Sequence, residues 1–230
     1  MFPFDAGPDP LQVLSWCLGA FLLGSTPFGL LLVKLAGKGD VRAQGSGNIG
    51  ATNVSRVGGK GLGAVTLVLD AAKGYLPVWL ALNHSLPLDV CAALALCAVA
   101  GHVFTPWLGF KGGKGVATAV GAALAYRWMA VLPSLGAFIL LVALFRRVSL
   151  GSVIGAALLP IAMAWPHAIV DKHLGPFHLS LSDRDPWQAV LFWSLLALLV
   201  IVKHQANLRR LMTGTEPPLW GGDKGGASHG

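Results

Sequence analysis

GAVTLVLDAAKGYLPVWLAL, residues 63–82, admits two readings, and the fold turns on which one holds. Its first eight letters look like a buried strand ending in an acid. Upstream, GSGNIGA at 45–51 fits G-x-G-x-x-G-A, the dinucleotide-binding fingerprint, and Asp70 falls 20 residues beyond Gly50, where that fingerprint places an acid for a ribose hydroxyl. A dinucleotide fold also needs an apolar strand directly before the first glycine. Here GKGDVRAQ, 37–44, is polar and cannot be a buried parallel strand. The stretch does not stop at Asp70 either, but continues apolar to Leu82, about the 20 residues that span a bilayer. Asp70 and Lys73, three apart, then pair on one helix face. The helix reading stands and the nucleotide site falls.

The rest of the chain agrees. Hydrophobic residues make up 54% and charged residues 12%, about half the roughly 25% charge of soluble domains, so the chain belongs in a membrane. Seven apolar segments can be marked, at 11–33, 61–82, 89–108, 115–128, 129–145, 150–170 and 187–203. The fourth is short for a span, and a hairpin with the fifth, turned near Arg127, is the expected arrangement. Pro27, Pro77 and Pro160 lie within spans, which membrane helices tolerate where neighbours satisfy the freed carbonyls. Cys17, Cys91 and Cys97 sit in apolar runs and read as packing residues, suiting neither a disulfide framework nor a metal site. No cleavable signal peptide is expected, because the first ten residues carry two aspartates, three prolines and no basic residue.

Basic residues set the orientation. With the N-terminus outside, the inner loops and tail carry Lys34, Lys38, Arg42, Arg56, Lys60, Lys111, Lys114, Arg146, Arg147, Lys203, Arg209, Arg210 and Lys224, while the outer loops hold Arg127, Lys172 and Arg184. That bias predicts an all-α integral membrane protein of about seven transmembrane helices, N-terminus out and C-terminus cytoplasmic. Residues 1–212 form one membrane-embedded domain and 213–230 a glycine-rich tail, disordered over GGDKGGASHG. Topology and anionic headgroups account for the +7 net charge, so membrane lipids are the expected partners and nucleic acid is not.

Three polar stretches fall on the inner leaflet. The first, GSGNIGATNVSR at 45–56, offers glycine amides at Gly45 and Gly47 that can form an anion-binding nest. Ser46, Asn48, Thr52 and Asn53 add side-chain donors, and Arg56 adds a planar fork suited to phosphate oxygens. A plain polar turn would explain the glycines but not the density of donors. The second, GHVFTPWLGFKGGKGVAT at 101–118, contains GFKGGK, which is one residue short of a Walker A run and carries Gly115 where the magnesium-binding hydroxyl would stand. Gly112, Gly113 and Gly115 with Lys111 and Lys114 at a helix start nonetheless suit phosphate. His102 reads equally as a packed histidine or a catalytic one. The third, KHQANLRRLMTGTE at 203–216, places His204, Asn207 and Arg210 near one face of a helical turn. Alone it reads as an interfacial helix with basic anchors; beside the other two it reads as a third wall of one pocket. Arg146, Ser149 and Ser152, at the start of the sixth span, face the same side.

These stretches resemble the three signature motifs of the bacterial acyl-phosphate:glycerol-3-phosphate acyltransferase family, integral membrane enzymes of the first acylation in phospholipid synthesis. The resemblance runs from GSTPFG at 24–29 through DAAKG at 70–74 to Glu216. Departures are an outer loop at about 171–186 that is longer than usual and the glycine-rich tail. The resemblance implies a seven-helix fold in the cytoplasmic membrane with its site on the cytoplasmic face, and transfer of an acyl group from acyl phosphate to glycerol 3-phosphate without cofactor or metal. Ser46, Arg56, Lys114, His204 and Asn207 would be catalytic. Gly45, Gly47, Asn48, Asn53, Lys111, Gly112, Gly113, Gly115, Ser152 and Glu216 would bind substrate, with Glu216 structural or catalytic. A monomer is expected.

The chemistry suits such a site, since both substrates carry phosphate and an acyl phosphate is already activated. The three stretches hold neither a nucleophile elbow nor an HxxxxD pair, so acceleration would come from positioning and charge stabilisation. Two rivals remain at this point. An organic-phosphate transporter would place polar groups at the bilayer midplane and show weak internal repeats. A non-catalytic lipid-binding scaffold would not need such loops.

Overall fold

A computed structural model describes residues 8–164 and 186–219. They form α1 (Pro10–Gly24), α2 (Phe28–Leu35), α3 (Ala51–Gly58), α4 (Lys60–Asn83), α5 (Leu88–Val103), α6 (Val116–Phe145), α7 (Val148–Ala164), α8 (Pro186–Val202) and α9 (Gln205–Met212), with 3₁₀ turns at Val41–Ala43 and Pro106–Leu108. Among the described residues there is no strand. The glycine-rich stretch 221–230 and most of the long outer loop lie outside the described residues.

Among the described residues four stretches, Pro10–Leu35, Lys60–Asn83, Leu88–Leu108 and Val116–Phe145, are long and apolar enough to cross a membrane, and Trp187–Val202 with Gln205–Met212, bent by 56°, makes a fifth if the pair is one span. Val148–Ala164 is apolar but shorter. The first expected span is two helices: α1 starts on Pro10 with the Asp9 carboxylate capping the Leu11 amide at 3.0 Å, and ends at Gly24. The chain breaks at residues 25–27 because Pro27 has no amide to continue the ladder. The 45–53 stretch, read as a loop, passes into helix α3 at Ala51.

α6 is broken at Arg127, whose backbone is extended (φ −163°, ψ 84°) and whose guanidinium donates to the Met163 carbonyl at 3.2 Å. Before the break α6 packs on α4, where Gly121 meets the Ala71 backbone and Gly74 meets that of Thr118. Beyond it the chain returns antiparallel to α7, with Gly155 against Ser134 and Gly151 against Phe138. The turn expected near Arg127 coincides with this break in α6.

Glycine lets other backbones touch as well: Gly24 lies against Ala98 and Gly101 against Phe21 where α1 crosses α5, the small-residue contact typical of membrane helices. The main core joins these helices through Val78, Leu94, Val99, Ala122, Trp193 and Leu196. A smaller cluster of Leu30, Val33, Val41, Ile49 and Val54 sits under the 41–54 segment. Asp70 and Lys73 pair as expected, Nζ to Oδ1 at 2.9 Å, with both side chains buried. Residues 213–219, grouped with the tail by sequence, instead pack on the body through Glu216 and a bond from the Leu219 amide to the Arg146 carbonyl at 2.8 Å.

Candidate active site

The three polar stretches meet. A cavity of about 480 Å³ is lined at one end by Ser46, Asn48, Asn53, Arg56, Lys114, Gly115, Ser149, Ser152, His204, Asn207, Arg210 and Glu216. Asp70 and His102 also border it, and the rest of its wall is mainly apolar, built by Leu67 and Val68 of α4, Val120, Val131 and Phe138 of α6, Leu159 of α7 and Leu196 of α8. Gly45, Gly47, Lys111, Gly112 and Gly113, expected to bind substrate, do not line it. Lys111 is exposed.

The first loop is held by Asn53, which is 1% exposed. Its Nδ2 donates to the carbonyls of Val41, Gln44 and Asn48 at 3.1, 3.1 and 2.9 Å, and its Oδ1 accepts the Ser46 amide at 2.8 Å. The Asn53 amide group is thus committed to shaping the loop, although the sequence reading made it a substrate ligand. The Asn48 carboxamide oxygen likewise accepts from the Gly50 amide at 2.8 Å, and the Gly47 amide donates to Gln44. What the loop presents outward is the Ser46 side chain, exposed, and the Arg56 guanidinium, which makes a long 3.4 Å contact to the Pro218 carbonyl.

The second loop is built differently. The Gly112 and Gly113 amides, expected to cradle phosphate, already donate to the carbonyls of Val103 and His102 at 3.0 and 3.1 Å. Both positions are glycine because a Cβ would overlap the His102 carbonyl at 112 and the His102 ring at 113. The free donors come one step later. Gly115, in a left-handed conformation (φ 81°), caps α6, and Gly115, Val116 and Ala117 line the cavity with the open N-terminus of that helix. Orphan amides and the helix dipole there favour an anion. Lys114 enters the cavity beside them. Burial, opposed by Glu216 and reinforced by Arg210 and Arg56, brings its ammonium down to about 8.

The third stretch is organised by Glu216. Its Oε1 accepts from Ser149 Oγ at 2.7 Å and Asn207 Nδ2 at 2.6 Å, and its Oε2 accepts from Arg210 Nε at 2.8 Å. Burial alone would raise this carboxyl; those three donors outweigh it and hold Glu216 below the usual carboxylate range. So Glu216 ties α7 to α9 and to the 213–219 segment. His204 is 2% exposed and its Nδ1 faces the Val200 carbonyl at 2.8 Å. A carbonyl only accepts, so Nδ1 carries the proton and Nε2 is left for the cavity. Ser152 Oγ donates back to Val148 at 2.9 Å and keeps its lone pairs.

Ser149 and Arg210 belong in the site by geometry; the helical spacing of both pointed this way. The apolar wall had no such signal, because a helix face toward a cavity looks like one toward a neighbouring helix.

The chain has well-defined relatives. A family model described as glycerol-3-phosphate acyltransferase matches residues 14–214. The glycerol-3-phosphate acyltransferase of Trichlorobacter lovleyi is 48% identical over 206 residues, 88% of this chain and 95% of that one. Its counterpart in Mesorhizobium japonicum is 45% identical over 196 residues, 85% and 90% of the two chains. Among solved structures, PlsY, an integral membrane glycerol 3-phosphate acyltransferase, in its glycerol 3-phosphate form superposes with a TM-score of 0.77 at 33% identity, covering 91% of this chain and 96% of that one. Its lysophosphatidic acid form gives 0.74 at 33% identity, covering 90% and 95%. Sequence and fold agree over nearly the whole membrane-embedded body, and the chain belongs to the glycerol-3-phosphate acyltransferase family.

Proposed function

We propose that this protein transfers the acyl group of an acyl phosphate to glycerol 3-phosphate, giving 1-acyl-glycerol 3-phosphate and inorganic phosphate. The observation that carries the reading is the two-part cavity: phosphate-binding groups gathered at one end, an apolar wall for a hydrocarbon chain beyond it. The glycerol 3-phosphate and lysophosphatidic acid forms of PlsY are a substrate and a product of the same reaction, which supports it. The transporter alternative finds no support among these relatives, which carry acyltransferase names.

In the step itself, the acceptor hydroxyl oxygen bonds to the acyl carbon while the bond from that carbon to the phosphate oxygen breaks. The hydroxyl proton passes to a phosphate oxygen of the acceptor, so no side-chain base is needed. Lys114 and the first amides of α6 hold one phosphate. Arg56 and Ser46 stand at the reacting centre, where a donor to the developing oxyanion is worth about 10²-fold or more in kcat. The His204 Nε2, Asn207 and Ser152 orient glycerol 3-phosphate, and Glu216 fixes Asn207 and Ser149. No metal or cofactor is required.

Counting α1 with α2, α4, α5, both halves of α6, α7 and α8, the chain crosses the bilayer seven times. With the N-terminus outside, the basic loops and the site lie on the cytoplasmic face of the bacterial inner membrane. One chain supplies the whole cavity, and we assign a monomer with residues 1–212 as a single domain closed by the 213–219 segment.

The test is purified protein in detergent with acyl phosphate and glycerol 3-phosphate, releasing equimolar acylated product and phosphate. Acyl-CoA and acyl carrier protein thioesters should give no turnover. Turnover with a thioester alone, or glycerol 3-phosphate uptake into sealed vesicles without product, would overturn the assignment.

A further inference from the structure

Three charged or titratable side chains in the bundle take no part in the reaction just described. Asp70, Lys73 and His102 are each at most 4% exposed at the side chain. Lys73 Nζ lies 2.9 Å from Asp70 Oδ1, donates to the Thr26 carbonyl at 2.9 Å where α1 breaks into α2, and lies 5.8 Å over the Phe28 ring. Asp70 Oδ1 in turn stands 3.8 Å from His102 Nδ1, which has no hydrogen-bond partner among the described residues. A buried ion pair adds little net stability, because losing hydration cancels much of the attraction. Its use is better sought in what it positions.

His102 lies directly under the second loop. Its carbonyl accepts the Gly113 amide at 3.1 Å, and its Nε2 edge occupies the space that a Cβ at Gly113 would need. One residue on, Lys114 turns into the cavity, and at Gly115 the chain bends into α6. The height of this loop above the helix ends, and so the reach of Lys114, depends on what fills the space beneath Gly113.

We propose that Asp70, Lys73 and His102 form a positioning chain, running from the α1–α2 break to the underside of the loop at 112–115, that holds Lys114 and the first amides of α6 against a substrate phosphate. Asp70 and His102 border the cavity, but in this scheme they act on the phosphate through Lys114 and the loop rather than by touching it. The inference rests on the function proposed above and assigns the phosphate of glycerol 3-phosphate, or inorganic phosphate in its place, as the group whose binding they control.

Steric complementarity provides the test. His102→Ala empties the space under Gly113 and should raise KM and the dissociation constant for glycerol 3-phosphate roughly tenfold to a hundredfold, as a displaced binding group does, with kcat changed less. Gly113→Ala pushes a methyl group into the imidazole and should be at least as damaging. The double variant should bind better than Gly113→Ala alone, since the methyl enters the vacated space; two independent structural losses would instead add.

Two nearer replacements guard against simple misfolding. His102→Gln places a polar end near the Nε2 position and should keep near-native KM. His102→Asn keeps a donor toward Asp70 but leaves the space under Gly113 empty and should not. Dissociation constants by calorimetry, with glycerol 3-phosphate and with inorganic phosphate, separate this inference from the reaction assignment. If the native protein makes no acylated product, the proposed function fails whatever these variants bind. If it is active but the Gln and Asn variants bind alike, or the double variant shows additive loss, the positioning role is overturned.

Discussion

Two glycine-rich loops border the mouth of the cavity, similar in composition and different in construction. The loop at 45–53 is shaped by one side chain: Asn53 accepts the Ser46 amide and donates to three carbonyls from beneath. The loop at 109–115 is shaped by backbone: the Gly112 and Gly113 amides bond to the last carbonyls of α5, and these two are glycine because a Cβ would collide with His102. The same residue type therefore serves a turn in one loop and close approach in the other. The Gly47 amide of the first loop and the Gly112 and Gly113 amides of the second bond to backbone carbonyls and are not left for a ligand. The first loop should be fragile at one polar residue, the second at its small residues and at the one cation it aims inward.

The largest effect expected is at Asn53. Asn53→Ala leaves three carbonyls and the Ser46 amide without their partner, at about 1–3 kcal/mol for each group that stays buried. Thermal unfolding in detergent should show a loss of ~3 kcal/mol or more, with kcat/KM down on the order of 10²-fold as Ser46 drifts. Asn53→Asp should be no milder, because it turns a second acceptor toward three carbonyls. A stable, active Asp variant would break the contrast between the loops.

Glycine to alanine pairs sharpen it. Gly45 (φ 59°) and Gly109 (φ 59°) share a left-handed backbone that costs a side chain about 1–2 kcal/mol. A Cβ at Gly45 would also overlap Asn53 Oδ1, whereas Gly109 has nothing within 4 Å. Gly45→Ala should therefore exceed Gly109→Ala by about 1–3 kcal/mol, the range for overpacking. Equal losses by chemical unfolding would mean that Asn53 can move aside and does not fix the loop.

These contrasts mark what the sequence made legible. The apolar segments and the break at Arg127 could be read because a charge inside an apolar run signals an end to burial. The pairing of Asp70 with Lys73 followed from helical spacing. The break at residues 25–27 was harder, since Pro27 is tolerated in many membrane helices. Asn53 could not be placed, because a donor-rich side chain reads the same whether it points at a ligand or at its own loop. Gly112 and Gly113 were read for their amides, while the reason for their size lies in His102, ten and eleven residues away. The apolar wall escaped altogether: Val131, Phe138 and Leu159 follow the same periodicity as residues facing lipid.

Within the second loop, pH offers a smaller but sharper effect. Lys114 titrates at about 8, held down first by burial. The phosphate of glycerol 3-phosphate, with its second pKa near ~6, is already dianionic across this range and does not titrate there. Below about 8 Lys114 is cationic and KM should be flat. Above it the ammonium deprotonates, and KM should climb toward roughly tenfold per pH unit if the contact requires the charge. In Lys114→Arg the guanidinium stays charged, so this inflection should vanish even if KM is higher throughout. The same inflection in the Arg variant would assign the titration to another group.

The smallest effect expected is at Lys111, three residues from Lys114 in the same loop, and it tests whether position or mere charge matters. Lys111 is exposed and lies off the cavity lining, whereas Lys114 enters it. An exposed cation acts on a phosphate only through solvent, where attraction fades over about 8 Å at physiological salt. Lys111→Ala should therefore change KM by no more than about threefold at low ionic strength, on the ~1 kcal/mol scale of exposed charge interactions, and the difference should disappear when salt is added. Lys114→Ala should raise KM by about tenfold or more and keep most of that loss in salt, because its partner phosphate sits where water is largely excluded. Initial rates across a salt series decide between the two. If Lys111→Ala matched Lys114→Ala at high salt, the loop at 109–115 would have to turn over on binding substrate. Its backbone bonds to His102 and Val103 would then describe only the empty protein.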